Sequence, residues 1–319
     1  MKILVTGGAG FIGSHTISHL LSQSDHSVVC VDNFNDYYNP EFKERNIIPF
    51  LENKRFRLYR NDIADLDEMS ELFEKEKIDK VCHLAARAGV RPSIADPFIY
   101  EETNVKGTLN LLDLSRKHNI KNFVFASSSS VYGNQKKVPF SESDQLDWPI
   151  SPYAATKKAS ELLAHTYHHL HGLNCTGLRF FTVYGSAGRP DMAPCKFTKW
   201  INEGHPVTKF GDGTTKRDYT FIDDIVQGVI AALEKDLPYE IVNLGNNKPV
   251  ELNYFINLIE RLLGKKAVIE NLPMQPGDVD ITYADISKAQ KLFNYNPKTT
   301  IEEGMERFIH WYKHEFAKP

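Results

Sequence analysis

The first 32 residues constrain the fold of this chain more than any other stretch. A short apolar run, Lys2–Thr6, leads directly into a glycine-rich turn, and a segment with helical periodicity follows. A second apolar run at residues 28–31 ends on Asp32. Strand, glycine turn, helix, strand and acid in this order predict a βαβ unit of the kind that binds a dinucleotide.

Each residue of this unit has a physical role. Gly7 allows a tight turn, Gly10 lets the backbone approach a pyrophosphate, and Gly13 lets the helix pack closely on the strand. The helix N-terminus offers free N–H groups and partial positive charge to phosphates. Asp32 can accept hydrogen bonds from both ribose hydroxyls and would repel a 2′-phosphate. Because no Lys or Arg occurs in the next ten residues, the predicted cofactor is NAD rather than NADP.

The composition is ordinary for a globular protein, with 41% hydrophobic and 25% charged residues and a net charge of −3. Lys and Arg are dispersed, which argues against nucleic acid or a membrane surface as a partner. No apolar run approaches the roughly 20 residues that span a bilayer. Because the first predicted strand begins at Lys2, we expect no signal or transit peptide.

The four cysteines indicate a reducing compartment. Three of them lie in apolar strand-like runs, and no CxxC spacing occurs. We therefore expect a cytoplasmic protein with neither disulfides nor a cysteine metal site. His165, His168 and His169 have helical spacing, but histidines also suit the C-terminal end of a helix, and no carboxylate or cysteine joins them, so we predict no metal.

Apolar runs alternate with helical patterns along the chain. This alternation predicts an α/β fold with a doubly wound parallel (Rossmann) sheet, whose strands are covered on both faces. The predicted strands are residues 2–6, 27–32, 55–60, 80–85, 122–127, 174–180 and 240–244. The predicted helices are 11–23, 65–76, 98–117, 152–171, 223–235, 251–263 and 300–315.

Regularity weakens after residue 181, where glycine, proline and charged residues become frequent. We expect two lobes. Residues 1–180 with 220–247 form a dinucleotide-binding Rossmann domain, and residues 181–219 with 248–319 form a smaller α/β lobe for the substrate.

Tyr153 and Lys157 form a Tyr-x-x-x-Lys pair at the start of a predicted helix, where residues four apart face the same way. A tyrosine that acts as a base near pH 7 needs a pKa about three units below its solution value. A nearby ammonium and a positively charged nicotinamide can supply that shift. A second pair with this spacing, Tyr132 and Lys136, lies in a polar loop and is not favoured.

These residues carry a resemblance to the extended short-chain dehydrogenase/reductase family. It spans essentially the whole chain and includes TGGAGFIG, SSSSVYG and YxxxK. The resemblance implies that Tyr153, Lys157 and Ser128 are catalytic. It implies an NAD site formed by Gly7, Gly10, Phe11, Ile12, Gly13, Asp32, Asn33, Asp62, Ile63, Leu84, Ala85, Ala86, Asn104, Ser127, Tyr153 and Lys157.

The C-terminal half resembles the nucleotide-sugar epimerases of that family, through FGDG followed by RDY and through QPGD at 275–278. Gln275 stands where UDP-galactose 4-epimerases usually have arginine. The segments HLAARAGVRPS, RFFTVYGSAGRPDMA and LPMQPGD are most similar to UDP-glucuronate 4-epimerases. The implied UDP-sugar contacts are Arg87, Arg91, Ser128, Ser129, Ser130, Thr182, Arg189, Phe210, Arg217, Gln275 and Asp278.

The resemblance implies that UDP-glucuronate is epimerised at C4 to UDP-galacturonate. A transient 4-keto sugar would form, rotate, and be reduced from its other face. Three alternatives stay open: a 4-epimerase for UDP-glucose or UDP-N-acetylglucosamine, a UDP-glucuronate decarboxylase, and a non-enzymatic NAD sensor. The decarboxylase is disfavoured because Ser130 replaces the glutamate of those enzymes. Relatives dimerise through helices matching 98–117 and 152–171, so we expect a homodimer.

Overall fold

The computed structural model describes residues 1–274 and 280–316. Its strands are β1 (Lys2–Thr6), β2 (Ser27–Val31), β3 (Phe56–Tyr59), β4 (Lys80–His83), β5 (Asn122–Ser128), β6 (Cys175–Phe180), β7 (Thr182–Tyr184), β8 (Pro206–Phe210), β9 (Lys216–Phe221), β10 (Tyr239–Leu244), β11 (Pro249–Glu251), β12 (Val268–Leu272) and β13 (Ile281–Thr282). Its α-helices are α1 (Phe11–Gln23), α2 (Pro40–Ile47), α3 (Leu66–Glu76), α4 (Val90–Ala95), α5 (Pro97–Tyr100), α6 (Gly107–Lys117), α7 (Pro152–His171), α8 (Ala193–Glu203), α9 (Ile222–Glu234), α10 (Leu252–Leu263), α11 (Ser287–Phe293) and α12 (Ile301–Trp311).

A seven-stranded sheet in the order β10-β6-β5-β4-β1-β2-β3 forms the centre of the fold. All of its neighbouring pairs are parallel. In β1, Ile3 and Val5 point to one core and Leu4 points to another, and all three are buried. This explains the continuous apolar runs, because strands covered on both faces have no solvent-facing positions. The predicted doubly wound sheet is confirmed.

Helices cover both faces of this sheet. Ile17 of α1 and Val229 of α9 belong to one core, whereas Phe73 of α3 and Leu111 of α6 belong to the other. The predicted helix at 98–117 is present as α5, a π-helical segment at Glu101–Lys106, and α6. Among the described residues, no helix has the length and apolar content needed to cross a membrane.

The remaining strands form smaller sheets beside the first. Strand β9 pairs with β7, β11 and β13, and β8 pairs with β12. The buried carboxylate of Asp218 on β9 accepts hydrogen bonds from the backbone N–H groups of Asn246, Asn247 and Ala284. Because these groups come from the segments after β10 and β13, one acid ties the small sheet to the end of the large one.

The order of the strands places a crevice beside β1. The chain runs from β1 outwards to β3 and then returns to β4 on the other side of β1. In an open α/β sheet, ligands bind outside the carboxyl ends of the strands at such a reversal. Gly7 follows β1 and Leu84 follows β4, so both predicted cofactor segments border this crevice.

Candidate active site

A cavity of about 400 Å³ opens at the carboxyl ends of the central strands. Most of the predicted site residues line it, although they come from segments far apart in the chain. Those residues are Gly7, Gly10, Phe11, Ile12, Gly13, Asp32, Asn33, Asp62, Ile63, Leu84, Ala85, Ala86, Ser127, Ser128, Ser129, Ser130, Tyr153, Lys157, Thr182 and Arg189.

The glycine turn forms one wall of this cavity. Gly7 has a φ of +67°, and a Cβ on it would lie only 2.6 Å from the backbone nitrogen of Ala85. A side chain at this position would therefore push apart the loops that follow β1 and β4. Helix α1 begins at Phe11, and within the described structure no side chain caps its N-terminus. Its first N–H groups remain available to a phosphate, so this wall fits a dinucleotide.

Asp32 is buried at the end of β2 and is held from several sides. Its carboxylate accepts hydrogen bonds from the backbone N–H groups of Ala9 and Phe34, at 3.2 and 3.0 Å. The ammonium of Lys43 lies 3.4 Å from the same carboxylate, and both side chains are nearly inaccessible to solvent. Lys43 lies one residue beyond the ten-residue window that lacks Lys and Arg, and the fold brings its ammonium to Asp32.

Helix α7 positions the Tyr–Lys pair. The side chain of Ser151 caps the helix by accepting from the N–H of Ala154, and Pro152 fits the first turn. The N–H of Tyr153 donates to the Ser93 hydroxyl at 3.1 Å. One turn later, the Lys157 ammonium donates to the carbonyl of Ala126 on β5 at 2.8 Å. Burial lowers the pKa of Lys157 to about 8.

The protein groups around Tyr153 act on the pKa of its phenol in opposite directions. Burial raises the pKa of its phenol, while a hydrogen bond with Ser128 and the charge of Arg189 act in the opposite direction. Burial is the largest of these effects, because an anion loses its hydration in the cavity. The groups of the protein alone therefore raise this pKa, and the predicted lowering by an ammonium and a nicotinamide together stays a prediction.

The serine run at residues 127–130 covers the end of β5 and the turn after it, and it lines the cavity. Ser128 caps the 3₁₀ turn Ser129–Tyr132 by accepting from the N–H of Ser130, and its hydroxyl also donates to the hydroxyl of Ser130. Ser127 donates to the buried carboxylate of Glu161 at 2.7 Å. Ser128 and Ser130 thus present polar atoms to the cavity, whereas the hydroxyl of Ser127 is directed to an internal partner.

The tyrosine of the second Tyr-x-x-x-Lys pair, Tyr132, is bonded within the protein core. Tyr132 is buried, and its hydroxyl donates to Asn243 at 2.7 Å and accepts from Arg179 at 3.0 Å. Arg179 also forms a two-fold hydrogen-bonded ion pair with Glu161, with both distances 2.8 Å. These contacts lie in the core, so geometry separates the two tyrosines where spacing alone does not.

Several predicted residues lie away from the cavity lining. Asn104 is buried and bonds the backbone of Arg87 and the hydroxyl of Thr156, so it supports the lining from behind. The guanidinium of Arg91 lies 5.1 Å from the ring centre of Phe210. Arg217 donates to backbone carbonyls of its own strand region. The predicted contacts Gln275 and Asp278 lie outside the described residues.

The polar lining residues that sequence reasoning missed include Lys43, Tyr37 and Asp191. The hydroxyl of Tyr37 donates to the carbonyl of Ala88 at 2.6 Å and accepts from Arg189 at 3.4 Å. Asp191 forms an ion pair with Arg189 within one loop. Lys43 lies eleven residues after Asp32 and Asp191 two after Arg189, but no sequence rule pairs residues at these spacings, so only the fold shows that they meet.

Comparisons with known proteins agree with this geometry. The profile of a family described as GDP-mannose 4,6 dehydratase matches residues 4–308. A UDP-glucuronate 4-epimerase of Thermodesulfobacterium geofontis is 49% identical over 311 residues, which cover 97% of this chain and 95% of that protein.

Two solved structures are similar over nearly the whole chain. The UDP-glucuronic acid 4-epimerase of Bacillus cereus, in complex with UDP-glucuronic acid and NAD, has a TM-score of 0.93 at 40% identity and covers 98% of this chain and 99% of its own. The UDP-glucose 4-epimerase of Thermotoga maritima, with UDP-glucose, has a TM-score of 0.91 at 32% identity and covers 99% and 100%. The chain belongs to the GDP-mannose 4,6-dehydratase family of extended short-chain dehydrogenase/reductases.

Proposed function

We propose that the protein is an NAD-dependent isomerase that interconverts UDP-glucuronate and UDP-galacturonate by epimerisation at C4. The observation that carries this proposal is that Tyr153, the serine run and Arg189 meet in one cavity. A base, hydroxyl donors and a cation at one point fit a sugar that carries both a reactive hydroxyl and a carboxylate. The names of the relatives point to the same reaction.

The cavity suits NAD at its other end. The glycine wall and the free N-terminus of α1 fit a pyrophosphate. The carboxylate of Asp32 fits a ribose diol, with Lys43 holding the acid in place. When bound, NAD accepts hydrogen from C4 of the sugar, returns it to the opposite face, and places positive charge near the phenol.

The side chains around the sugar transfer the proton and orient the reactants. Tyr153 takes the proton of the C4 hydroxyl during oxidation and gives a proton back during reduction. The single hydroxyl of Ser128 bridges the C4 oxygen and the phenol oxygen, and Lys157 orients the nicotinamide ribose. The C4 oxygen loses a proton and regains one, and the hydride taken from C4 is returned to it, so the overall reaction is redox-neutral.

The substitution at position 130 explains why the carboxylate survives. A 4-keto uronate is a β-keto acid and loses carbon dioxide readily. Ser130 lines the cavity where decarboxylases of this family carry glutamate, and a serine hydroxyl does not act as that acid or base. Hydroxyls of the serine run and Thr182, with Arg189 as counter-charge, hold the carboxylate in the plane of the ketone and resist its loss.

The other site and partner assignments belong to the same proposal. Residues 1–180 with 220–247 bind NAD, and residues 181–219 with 248–319 bind the uridine diphosphate, with Arg87, Arg91, Phe210, Arg217, Gln275 and Asp278 among its contacts. The protein is a homodimer. It works in the cytoplasm, because its four cysteines are unpaired and buried.

The decisive experiment incubates the purified protein with UDP-glucuronate and follows the products by NMR. We expect UDP-galacturonate, without added reductant and without carbon dioxide. UDP-pentose with carbon dioxide would indicate a decarboxylase. Turnover of UDP-glucose alone would favour the neutral-sugar epimerase, and no turnover of any UDP-sugar would favour a non-enzymatic NAD sensor.

A further inference from the structure

Arg189 does not face the cavity alone. Its Nε and one Nη donate to the two oxygens of Asp191, at 3.0 and 2.5 Å. Such a two-fold contact is the strongest arrangement that an arginine and a carboxylate form. Both residues line the same cavity as Tyr153. The cation assigned to the substrate therefore already has an anionic partner from its own loop.

The geometry leaves part of the guanidinium free for a second anion. An arginine has five N–H donors, and Asp191 uses two of them. A third donates to the hydroxyl of Tyr37, whose ring lies 5.3 Å from the guanidinium. A substrate carboxylate must share Arg189 with Asp191 or displace it, and the two negative charges oppose each other.

The reaction itself requires such an exchange. The 4-keto sugar has to turn so that its opposite face meets the nicotinamide, and its carboxylate must leave Arg189 as it turns. The Arg189 side chain is only 21% exposed. A partly buried guanidinium without an anion is strongly unfavourable, so a lone Arg189 would hold the sugar in its first orientation.

We propose that Asp191 is an exchangeable counter-ion, which pairs with Arg189 whenever the sugar carboxylate leaves it. This inference rests on the proposed function. Asp191 thereby weakens the contact between the uronate carboxylate and Arg189 and speeds the rotation of the sugar. It is a positioning and specificity-determining residue, because it changes the charge that the substrate carboxylate meets and touches no reacting atom.

Binding provides the first test. Titration calorimetry compares NAD-loaded Tyr153→Phe with Tyr153→Phe/Asp191→Asn, so that no turnover occurs. We expect UDP-glucuronate to bind about tenfold more tightly to the double variant, and neutral UDP-glucose to change by less than about twofold. Weaker binding of UDP-glucuronate would overturn the inference, because it would mean that Asp191 only holds Arg189 in position. An equal change for both sugars would do the same. Asp191→Ala should show the same direction.

Turnover provides the second test. In Asp191→Asn alone, both KM and kcat for UDP-glucuronate should fall, since a more tightly held carboxylate leaves Arg189 more slowly. The matched control is Asp223→Asn, which removes a 2.6 Å pair with Arg307 outside the cavity and should leave both constants unchanged. An unchanged or higher kcat in Asp191→Asn contradicts the exchange. A wild-type protein that does not convert UDP-glucuronate rejects the proposed function itself, so the two failures are distinguishable.

Discussion

The surroundings of Tyr153 oppose the ionisation that its proposed role as a base requires. Burial raises the pKa of the phenol, and the Ser128 hydrogen bond and the charge of Arg189 offset this only in part. In the proposed mechanism, the positive charge that lowers the pKa of the phenol comes with the bound NAD.

Replacing this phenol separates chemistry from binding. We expect Tyr153→Phe to lose turnover by about a thousandfold, the usual scale of a general base, and to retain NAD, because the glycine wall and Asp32 are unchanged. Turnover is measured by NMR and bound NAD by absorbance after denaturation. The control is Tyr132→Phe, which removes a hydroxyl bonded to Asn243 and Arg179 in the core. It should keep most of its turnover, and near-normal activity of Tyr153→Phe would remove this residue from the mechanism.

Sequence reasoning identifies the residues that local chemistry marks and misses those that only the fold brings together. Gly7, Asp32 and Tyr153 each follow a strand or open a helix, so their place could be predicted. Lys43 and Asp191 come from an unassigned helix and a loop, and their partners are defined by packing. No spacing rule connects a carboxylate to the cation that will neutralise it.

The helices and strands also divide into those that the local sequence marks and those that depend on packing. All seven apolar runs became strands of the large sheet, because their hydrophobicity does not depend on a partner. The short strands β8 and β12 were missed. Strand β12 is exposed along its length, so its sequence has no buried apolar face, and it is defined by its pairing with β8. Helices α2 and α8 were missed too, because few of their buried positions hold large apolar residues, which leaves only a weak helical pattern in the sequence.

One acid at the end of α3 links this helix to the edge of the sheet. Glu76 is fully buried and accepts from Lys2 of β1 at 2.9 Å and from Arg57 and Tyr59 of β3 at 2.9 and 2.5 Å. These partners lower the pKa of Glu76 to about 2. Helix α3 is thereby attached to β1 and β3, which lie on either side of β2.

Glu76→Gln should therefore destabilise the fold, by about 2 kcal/mol at pH 7, because charged hydrogen bonds are replaced by weaker neutral ones. The carboxylate pKa is lowered by folding, so its contribution is complete above pH 4.5 and is lost as the pH falls from 4.5 towards 2. The difference between variant and wild type should narrow over that range in urea denaturation. Glu74→Gln on the exposed side of the same helix is the control and should change little, and a difference that persists at low pH would contradict the assignment.

At the scale of the whole molecule, α6 and α7 present apolar side chains to solvent. Leu109 of α6 is 39% exposed, and Leu162 and Leu170 of α7 are 59% and 64% exposed. The two helices pack against each other beside the sheet. Exposed leucines on adjacent helices are typical of a surface that a second protein covers, and the proposed homodimer uses this surface.

Light scattering with size-exclusion chromatography tests this proposal. The wild type should have twice the mass of one chain, and Leu162→Glu should have the mass of a monomer, because a buried unpaired carboxylate disfavours association. Ile48→Glu is the matched control: it alters an equally exposed residue, 60% accessible, on the 3₁₀ turn after α2. A monomeric wild type, or a dimer that survives Leu162→Glu, would contradict the proposed interface.

The close approach of Gly7 to Ala85 has a consequence for when a newly synthesised chain can bind NAD. When β1, α1 and β2 have left the ribosome, the glycine turn has been made but the loop that it packs against has not, because that loop follows β4. The serines after β5 and the tyrosine of α7 emerge later still. We therefore expect NAD binding to require the chain at least as far as Ala85, with Tyr153 joining the cavity later.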